Sequence, residues 1–516
     1  MQTRQRVLVN AITRWMATLT QGVLGVLLVR FLLGQLGQEG YGLTALMATV
    51  VSFAMVADLG LGGALARHLA AQLATGDQAR FDELASTALA FYLTVGSALG
   101  LLCAMFAHPI ARALNVPTAL MPAGVFLVRW YAAPAILLSF VSPVYLGIVT
   151  SANRFDLANW IAIGTSILRT VSLFAILGLT TAGLYGWAAG TLFAQGLTLA
   201  LTAWAAYRVR PGVQVRLRYA RPSALATLFA TGTYLFALQL TNLLSVNADP
   251  LILTTFLGPS AVALYTPAVT LTAAVRPLVN TLADQLHPLT TSYYERGNRQ
   301  NLQVVLVRGT KYTFLLGVGA CVMLGVFAEP IMRLWLESSL GTQYLVTAQV
   351  LVFWAAIDLL SYASGSQWAV LLGMNRLRFL VLTQLPFAVL NVITSAALVR
   401  FTGLGVLGVV IPTLVIGAIR RPIIIVHAAR LCDIPARDYV RQAYLRPTVV
   451  LALLTSAALG VRAFARPESV GALAIWGVAL GVLFAVLCWW IGFDRADRDT
   501  LRSLFSFGVR RRDHTP

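Results

Sequence analysis

The sequence predicts an all-α, polytopic membrane protein, and three observations carry that expectation. Of 516 residues, 58% are hydrophobic and only 11% charged, against about 25% charged in a soluble domain. Mean hydropathy is +0.77. No charged residue occurs from Thr170 through Tyr207, enough chain for nearly two bilayer crossings at roughly 20 residues each.

Apolar runs of spanning length, separated by polar or Gly/Pro breaks, give about 14 transmembrane helices. They fall near 10–33, 41–63, 84–107, 124–149, 157–179, 183–207 and 224–247, then 261–283, 306–328, 345–371, 379–400, 404–426, 446–464 and 471–492. The start, "MQTRQRVLVNAITRW", places basic residues before an apolar stretch as a signal peptide does. Its apolar part is too long and lacks a small-residue cleavage site, so it reads as a true first helix.

The net charge of +19 suggests nucleic acid in a soluble chain. Here the arginines fall in alternate loops: Arg4 and Arg6, Arg67 and Arg80, Arg154, the run Arg208 to Arg221, Arg296 and Arg299, Arg376 and Arg378, then Arg430, Arg437 and Arg441, and the tail "RRRDHTP". The other loops are short and carry acids about as often as bases. Positive-inside bias therefore puts both termini in the cytoplasm and leaves no role for nucleic acid. The stretch "RVRPGVQVRLRYARP" (208–222) also suits attraction to anionic membrane lipids.

Cys103, Cys321, Cys432 and Cys488 stand singly, and His68, His108, His287, His427 and His514 are dispersed. Neither a disulfide framework nor a metal site is supported, and no cofactor is expected. No Walker loop or metal-binding acid cluster appears, so ATP drive and glycosyl transfer lack their residues.

An internal echo organises the chain. "YLGIVTSANRFDL" (145–157) precedes the fifth span and "WAVLLGMNRLRFL" (368–380) the eleventh, with Asn153-Arg154 and Asn375-Arg376 offset by 222 residues. At nearly that offset "LGQEGYGL" (36–43) meets "LGPSAVALY" (257–265), and Asp58 falls close to Asp284. Two pseudo-symmetric six-helix bundles plus a C-terminal helix pair is the simplest reading, and repeated halves are common in transporters. The expected organisation is an N-terminal bundle at 1–207, a cytoplasmic linker and C-terminal bundle at 208–430, the last two helices at 431–492, and a basic cytoplasmic tail at 493–516.

The stretch "VRFLLGQLGQEGYGLTALMATVVSFAMVADLGLGGALARHLA" (29–70) resembles the opening of the polysaccharide transporter family. These are the Wzx-type flippases for lipid-linked oligosaccharides, within the multidrug/oligosaccharidyl-lipid/polysaccharide superfamily. The matching features are Arg30, the Leu-Gly before Tyr41-Gly42, Asp58-Leu59-Gly60 and Arg67. "NADPLILTTFLGPSAVALYTPA" (247–268) and "SANRFDLAN" (151–159) are similar to later stretches of the family. The resemblance implies movement of an undecaprenyl-diphosphate-linked glycan across a bacterial cytoplasmic membrane by alternating access. It also implies membrane proteins of polysaccharide assembly as partners.

Ionisable groups inside a span cost roughly 2.5–3.5 kcal/mol on insertion scales, so they face a cavity or a partner. In the first helix Asn10, Arg14, Thr18, Gln21 and Gly25 share one face. That stripe lines an interior cavity, or else packs through Gly22 and Gly25 while Arg14 snorkels. Arg30 reads as an interfacial anchor near the outer end and is kept as a candidate substrate contact. Asp58 lies at the depth of Arg14, so an ion pair between them is expected, with gating as the alternative. Thr272, Arg276 and Asn280 share a face beside Pro277, and Gln239, Asn242 and Asp249 form a further stripe. Arg169 is flanked by Thr165, Ser166 and Ser172, and Asp358 by Ser361 and Tyr362.

Arg14, Arg169, Arg276 and Arg30, with Gln21, Asn242 and Asn280, are thus the candidate substrate contacts. Asp358, Asp58 and Asp249 are the candidates for coupling to a proton or sodium ion or for gating. Asp358 either serves that role or neutralises an arginine, and Arg169 is either a substrate contact or the partner of an acid such as Asp358. The excess of arginine favours a lipid diphosphate, because the guanidinium fork donates two charge-assisted hydrogen bonds at once. A drug exporter of the same superfamily should instead favour acids that hold organic cations. A glycan polymerase or ligase should carry a sizeable extracytoplasmic loop, and the largest candidates, 108–123 and 329–344, are short. No catalytic residue is assigned.

Overall fold

The computed structural model describes the backbone of residues 2–230 and 233–499; within it the side chains of residues 2–8, 11, 230, 233–235, 242, 246, 278 and 284 lie outside the described set. The expected substrate contact Asn242 and the echo residue Asp284 therefore fall outside the described side chains, as does most of the basic tail. The described chain is helical almost throughout. In lipid every backbone N–H and C=O must be paired within its own segment, which an apolar helix achieves.

The first stretch comprises α1 (Gln2–Ala54), α2 (Leu61–Thr75), α3 (Gln78–Met105), α4 (Ala107–Ala113), α5 (Met121–Phe126), α6 (Ala133–Ser151), α7 (Phe155–Leu179) and α8 (Gly183–Val209). Then follow α9 (Pro222–Ala230), α10 (Thr233–Leu257), α11 (Pro259–Glu295), α12 (Arg299–Val326), α13 (Ala328–Leu340), α14 (Tyr344–Tyr362) and α15 (Gly365–Gly373). The chain closes with α16 (Leu377–Phe401), α17 (Leu407–Leu431), α18 (Ala436–Phe464) and α19 (Val470–Leu487).

Eleven helical stretches among the described residues are long and apolar enough to cross a membrane. One of them, Ile12–Asp58, bends at Gly37 (φ 69°, ψ 177°) and holds two of the expected spans. Helices α8 and α10, of 27 and 25 residues, have the length to cross at about 1.5 Å per residue, but α8 is rich in glycine and α10 carries polar residues from Gln239 to Asp249. With these, the long segments correspond to the fourteen expected spans.

Several ends differ from expectation, each for a physical reason. The second span does not run through 41–63: Leu59 (φ 52°) and Gly60 (φ 80°) are left-handed, so the chain breaks and restarts as α2. The fourth span is interrupted by a π-type turn over Leu127–Ala132, between α5 and α6. The tenth stops at Tyr362 and resumes as α15. Helices α11, α12 and α18 extend well beyond their apolar cores through polar termini.

The internal echo is written into the backbone. Left-handed residues recur at Gly37 and Gly258 and at Gly76 and Gly297, each pair 221 residues apart. Asn153 and Asn375, each at φ 55°, and Gly183 and Gly405 stand 222 apart. After Gly76 and Gly297 the same cap follows: Asp77 accepts from the Arg80 amide at 2.9 Å, and Asn298 from the Asn301 amide at 3.1 Å. The echoed segments 36–43 and 257–265 also touch. Gln38 Nε2 donates to the Ser260 carbonyl at 3.3 Å, and a Cβ on Gly42 would stand 1.8 Å from the Pro259 carbonyl oxygen.

Two compact units emerge. One comprises residues 1–274, 338–343 and 377–413; the other 275–337, 344–376 and 414–516. In the first, α3 packs on α6, α7 on α8 and α1, and α10 on α16. In the second, α12 is the hub, packing on α14, α15 and α18. Its core joins Phe314, Val318 and Val322 to Val450 and Leu454 of α18 and Leu480 of α19. Beside this core Lys311, the only lysine, is buried and donates to Asp494 at 2.9 Å and to fully buried Asp497. Tyr312 also donates to Asp497, at 2.5 Å.

Candidate functional site

Each unit carries a polar centre among apolar helices. In the first unit α1, α7, α8 and the start of α11 enclose a cleft of about 460 Å³, whose lining includes Arg169, Tyr131, Thr191, Gln195 and Thr270. Arg169 is exposed on the wall of this cleft. Its guanidinium has no ion pair or hydrogen bond among the described residues; Tyr131 lies near enough to interact electrostatically. The hydroxyls expected to flank it serve their own helix instead. Thr165 donates to the Ile161 carbonyl at 2.8 Å and Ser172 to the Arg169 carbonyl at 3.0 Å. Buried Thr191 Oγ1 and Gln195 Oε1 lack hydrogen-bond partners. A cation on the wall of this cleft, with no acid partner among the described residues, suits an anionic ligand.

Asp58 sits where the second span breaks. Its Oδ1 accepts from the Gly62 amide at 3.2 Å and from the Tyr92 hydroxyl, so it caps α2. The expected pairing with Arg14 is thus replaced by a cap and a tyrosine. Asp58 also borders a cavity of about 440 Å³ with Gln239 and Asn247. Asp249 is 1% exposed; Tyr265 donates to its Oδ2 at 2.8 Å, and its Oδ1 has no hydrogen-bond partner.

The polar stripe of the first helix divides. Asn10 donates to the Asn153 carbonyl at 3.3 Å and accepts from the Asp156 amide at 2.9 Å, stapling α1 to the α6–α7 turn. Gly25 borders the Arg169 cleft, whereas a Cβ on Gly22 would meet Ala274 at 3.0 Å. Arg14, Gln21 and Arg30 are exposed, as is Asn280 in the second unit.

The centre of the second unit is built by α11, α14 and α17. Arg276 Nε donates to both oxygens of Asp358, at 3.0 and 3.1 Å. The guanidinium lies 4.7 Å from the Trp354 ring centroid, a cation–π contact. Asp358 therefore faces Arg276 rather than Arg169. Its neighbour Ser361 accepts from Arg421 at 2.6 Å, and Arg421 also reaches Ser364 at 3.2 Å and the Ile357 carbonyl at 3.4 Å. Arg276 Nη2, Arg421 Nη1 and Arg420 Nε are buried without partners. Arg420 and Arg421 are additions to the expected set. Their signal is the arginine doublet in "GAIRRPIII" (417–425), inside the expected span 404–426. No group of three or more His, Cys, Asp or Glu side chains suited to a metal ion occurs among the described residues.

Residues 27–370 match the family described as "Polysaccharide biosynthesis protein", well over half of the chain. The chain belongs to this family. As a polysaccharide biosynthesis protein it is similar to the "Uncharacterized membrane protein EpsK" of Bacillus subtilis (strain 168), at 23% identity over 386 residues and 75% of each chain. Among solved structures it is similar to a multidrug resistance MATE family transporter of the MOP superfamily in an inward-facing conformation. That match has a TM-score of 0.70 and 19% identity, covering 81% of this chain and 96% of the other. It is also similar to the lipid II flippase MurJ in an inward closed conformation, with a TM-score of 0.65, 14% identity, and 93% and 99% coverage. At these identities the likeness establishes the fold: this polysaccharide biosynthesis protein has the polytopic helical architecture of MOP-superfamily transporters.

Proposed function

We propose that this protein is a flippase that carries an undecaprenyl-diphosphate-linked oligosaccharide across the bacterial cytoplasmic membrane by alternating access, with both termini cytoplasmic. The observation that supports the reading is the guanidinium excess within long apolar helices. Among the described residues Arg169 has no acid partner, and Asp358 is the one acid that pairs with any of Arg276, Arg420 and Arg421. A diphosphate offers the oxygens that such unfilled N–H groups require. The family, which is that of polysaccharide biosynthesis, supports a glycan as the rest of the cargo. Arg169 and Arg276 are assigned to the headgroup, with Arg14 toward the cytoplasmic side and the prenyl tail left in lipid. Asp249 and Asp58 are assigned to ion coupling or gating, Asp249 because one carboxylate oxygen is open. Asp358 is assigned to holding Arg276.

The test is reconstitution of the purified protein in liposomes carrying a fluorescent undecaprenyl-diphosphate glycan on one leaflet, with an imposed proton or sodium gradient. Arg169-dependent transfer to the other leaflet is expected. The fold shared with a multidrug transporter supplies the competing reading. Export of an organic cation by the same vesicles, with no movement of the lipid, would replace the proposal by drug efflux.

A further inference from the structure

Away from both polar centres, the second unit holds a cavity of about 820 Å³ at one end of the helices, where α12 and α18 begin and the chain leaves α19. Its charged lining is Arg308, Lys311, Arg441, Arg446, Asp438 and Asp494. Lys311 is engaged with Asp494 and Asp497 in the floor, and Arg308 lies 3.7 Å from Asp497. Those two cations and two acids balance. Arg441 and Arg446 remain against Asp438, and neither guanidinium has an ion pair or hydrogen bond among the described residues. The cavity therefore carries one surplus positive charge, with Gln300 and Gln442 adding side-chain donors.

The same helix offers an apolar track. Arg441, Leu445, Val449 and Leu453 follow at intervals of four residues, which places them on one helical face. Leu445, Val449 and Leu453 are 57%, 39% and 44% exposed. A cationic pocket that continues into an exposed apolar stripe matches a molecule with an anionic head and hydrocarbon chains. Basic pockets between transmembrane helices at the cytoplasmic side are suited to acidic lipid headgroups.

We infer that this cavity is a binding site for an acidic phospholipid, the phosphodiester seated between Arg441 and Arg446 and an acyl chain lying along Leu445, Val449 and Leu453. The site is separate from cargo transport. Its occupant ties α18 to α12 and to the segment after α19, so acidic lipid should stabilise the second unit.

The experiment is thermal unfolding of the full-length protein in neutral detergent, with added phosphatidylglycerol, phosphatidylcholine or inorganic phosphate. Phosphatidylglycerol should raise Tm, and phosphatidylcholine and inorganic phosphate should not. R441Q/R446Q should melt like the wild type without lipid and lose the shift, whereas R441K/R446K should keep most of it. An equal shift with phosphatidylcholine, or one reproduced by inorganic phosphate, would overturn the acidic-lipid assignment. A shift retained by R441Q/R446Q would overturn the site. If R441Q/R446Q melts early without lipid, native mass spectrometry of lipid adducts on R441K/R446K and the wild type decides: loss of adducts from the charge-conserving variant overturns the proposal.

Discussion

Arg276 shares a single N–H between the two carboxylate oxygens of Asp358, at 3.0 and 3.1 Å, while its Nη2 is buried with no partner. One edge of the guanidinium is held and the other is left over. The pair thus works as a mount: Asp358 and the Trp354 face orient a donor that the protein itself does not fill.

Removing one partner of such a pair strands the other. Arg276→Ala should leave Asp358 without its hydrogen-bonded cation, and breaking a buried pair costs about 3–5 kcal/mol. With Arg276 23% exposed at its side chain, the low end applies. Membrane protein level should fall in Arg276→Ala and recover in Arg276→Ala/Asp358→Asn, while surface glycan in a flippase-null strain stays absent in both. Arg276→Lys should keep part of the activity through charge without the fork. Normal glycan in the double variant would remove Arg276 from transport.

Arg169 should behave differently, because no acid among the described residues pairs with it. Arg169→Ala is expected to reach wild-type abundance and yet lose surface glycan. A drop in protein level matching the loss of glycan would instead make Arg169 structural. The comparison with Arg276→Ala is informative because both residues lie within long apolar helices.

Gly42 tests the junction of the two echoed segments. A Cβ there would stand 1.8 Å from the Pro259 carbonyl oxygen, a backbone atom that cannot rotate away. Gly42→Ala should destabilise by about 1–3 kcal/mol or more through overpacking. Gly34, in the same helix, has nothing within 4 Å of its would-be Cβ, so Gly34→Ala should be neutral or slightly stabilising. Equal melting of the two variants would show that α1 is free to shift at Gly42.

The repeat was legible in the sequence because it rests on local chemistry. Asn153 and Asn375 mark left-handed helix ends that asparagine tolerates, and the same turn closes behind each. Span existence was equally readable, since an apolar run of spanning length has few alternatives. The break at Asp58 was not, because Leu59 is left-handed against its own preference and only the Tyr92 and Gly62 contacts explain it. Partners were the least legible. Arg276 and Asp358 lie 82 residues apart, and helical spacing says which way each points on its own helix but not which helix it meets. The doublet Arg420-Arg421 stands inside an apolar run without a sequence partner; burial of Arg421 against Ser361 and Ser364 is a fact of packing.

The latch at Lys311 gives a prediction with a defined pH sign. Burial pushes the Asp494 carboxyl up, but its bonds with Lys311 and the Asp497 amide outweigh this and bring it down to about 2. The ordinary aspartate value is about 3.9. A carboxyl depressed on folding contributes stability that is complete above its unfolded pKa and is lost as pH falls through the folded one. In the wild type that loss lies between about pH 4 and 2. Lys311→Met removes the main opposing charge, so burial should then dominate at Asp494 and reverse the sign: a carboxyl raised on folding costs stability at neutral pH, and the variant should regain part of it as pH falls. It also leaves Asp497, fully buried, with Arg308 at 3.7 Å as its remaining cation. The variant should melt earlier than the wild type at pH 7, and Lys311→Met/Asp497→Asn should recover part of the difference. Protease cleavage in the α18–α19 region should rise in the single variant. Unchanged melting of Lys311→Met between pH 7 and 4, with wild-type protection of that region, would show that the lysine does not hold the segment after α19 against α12.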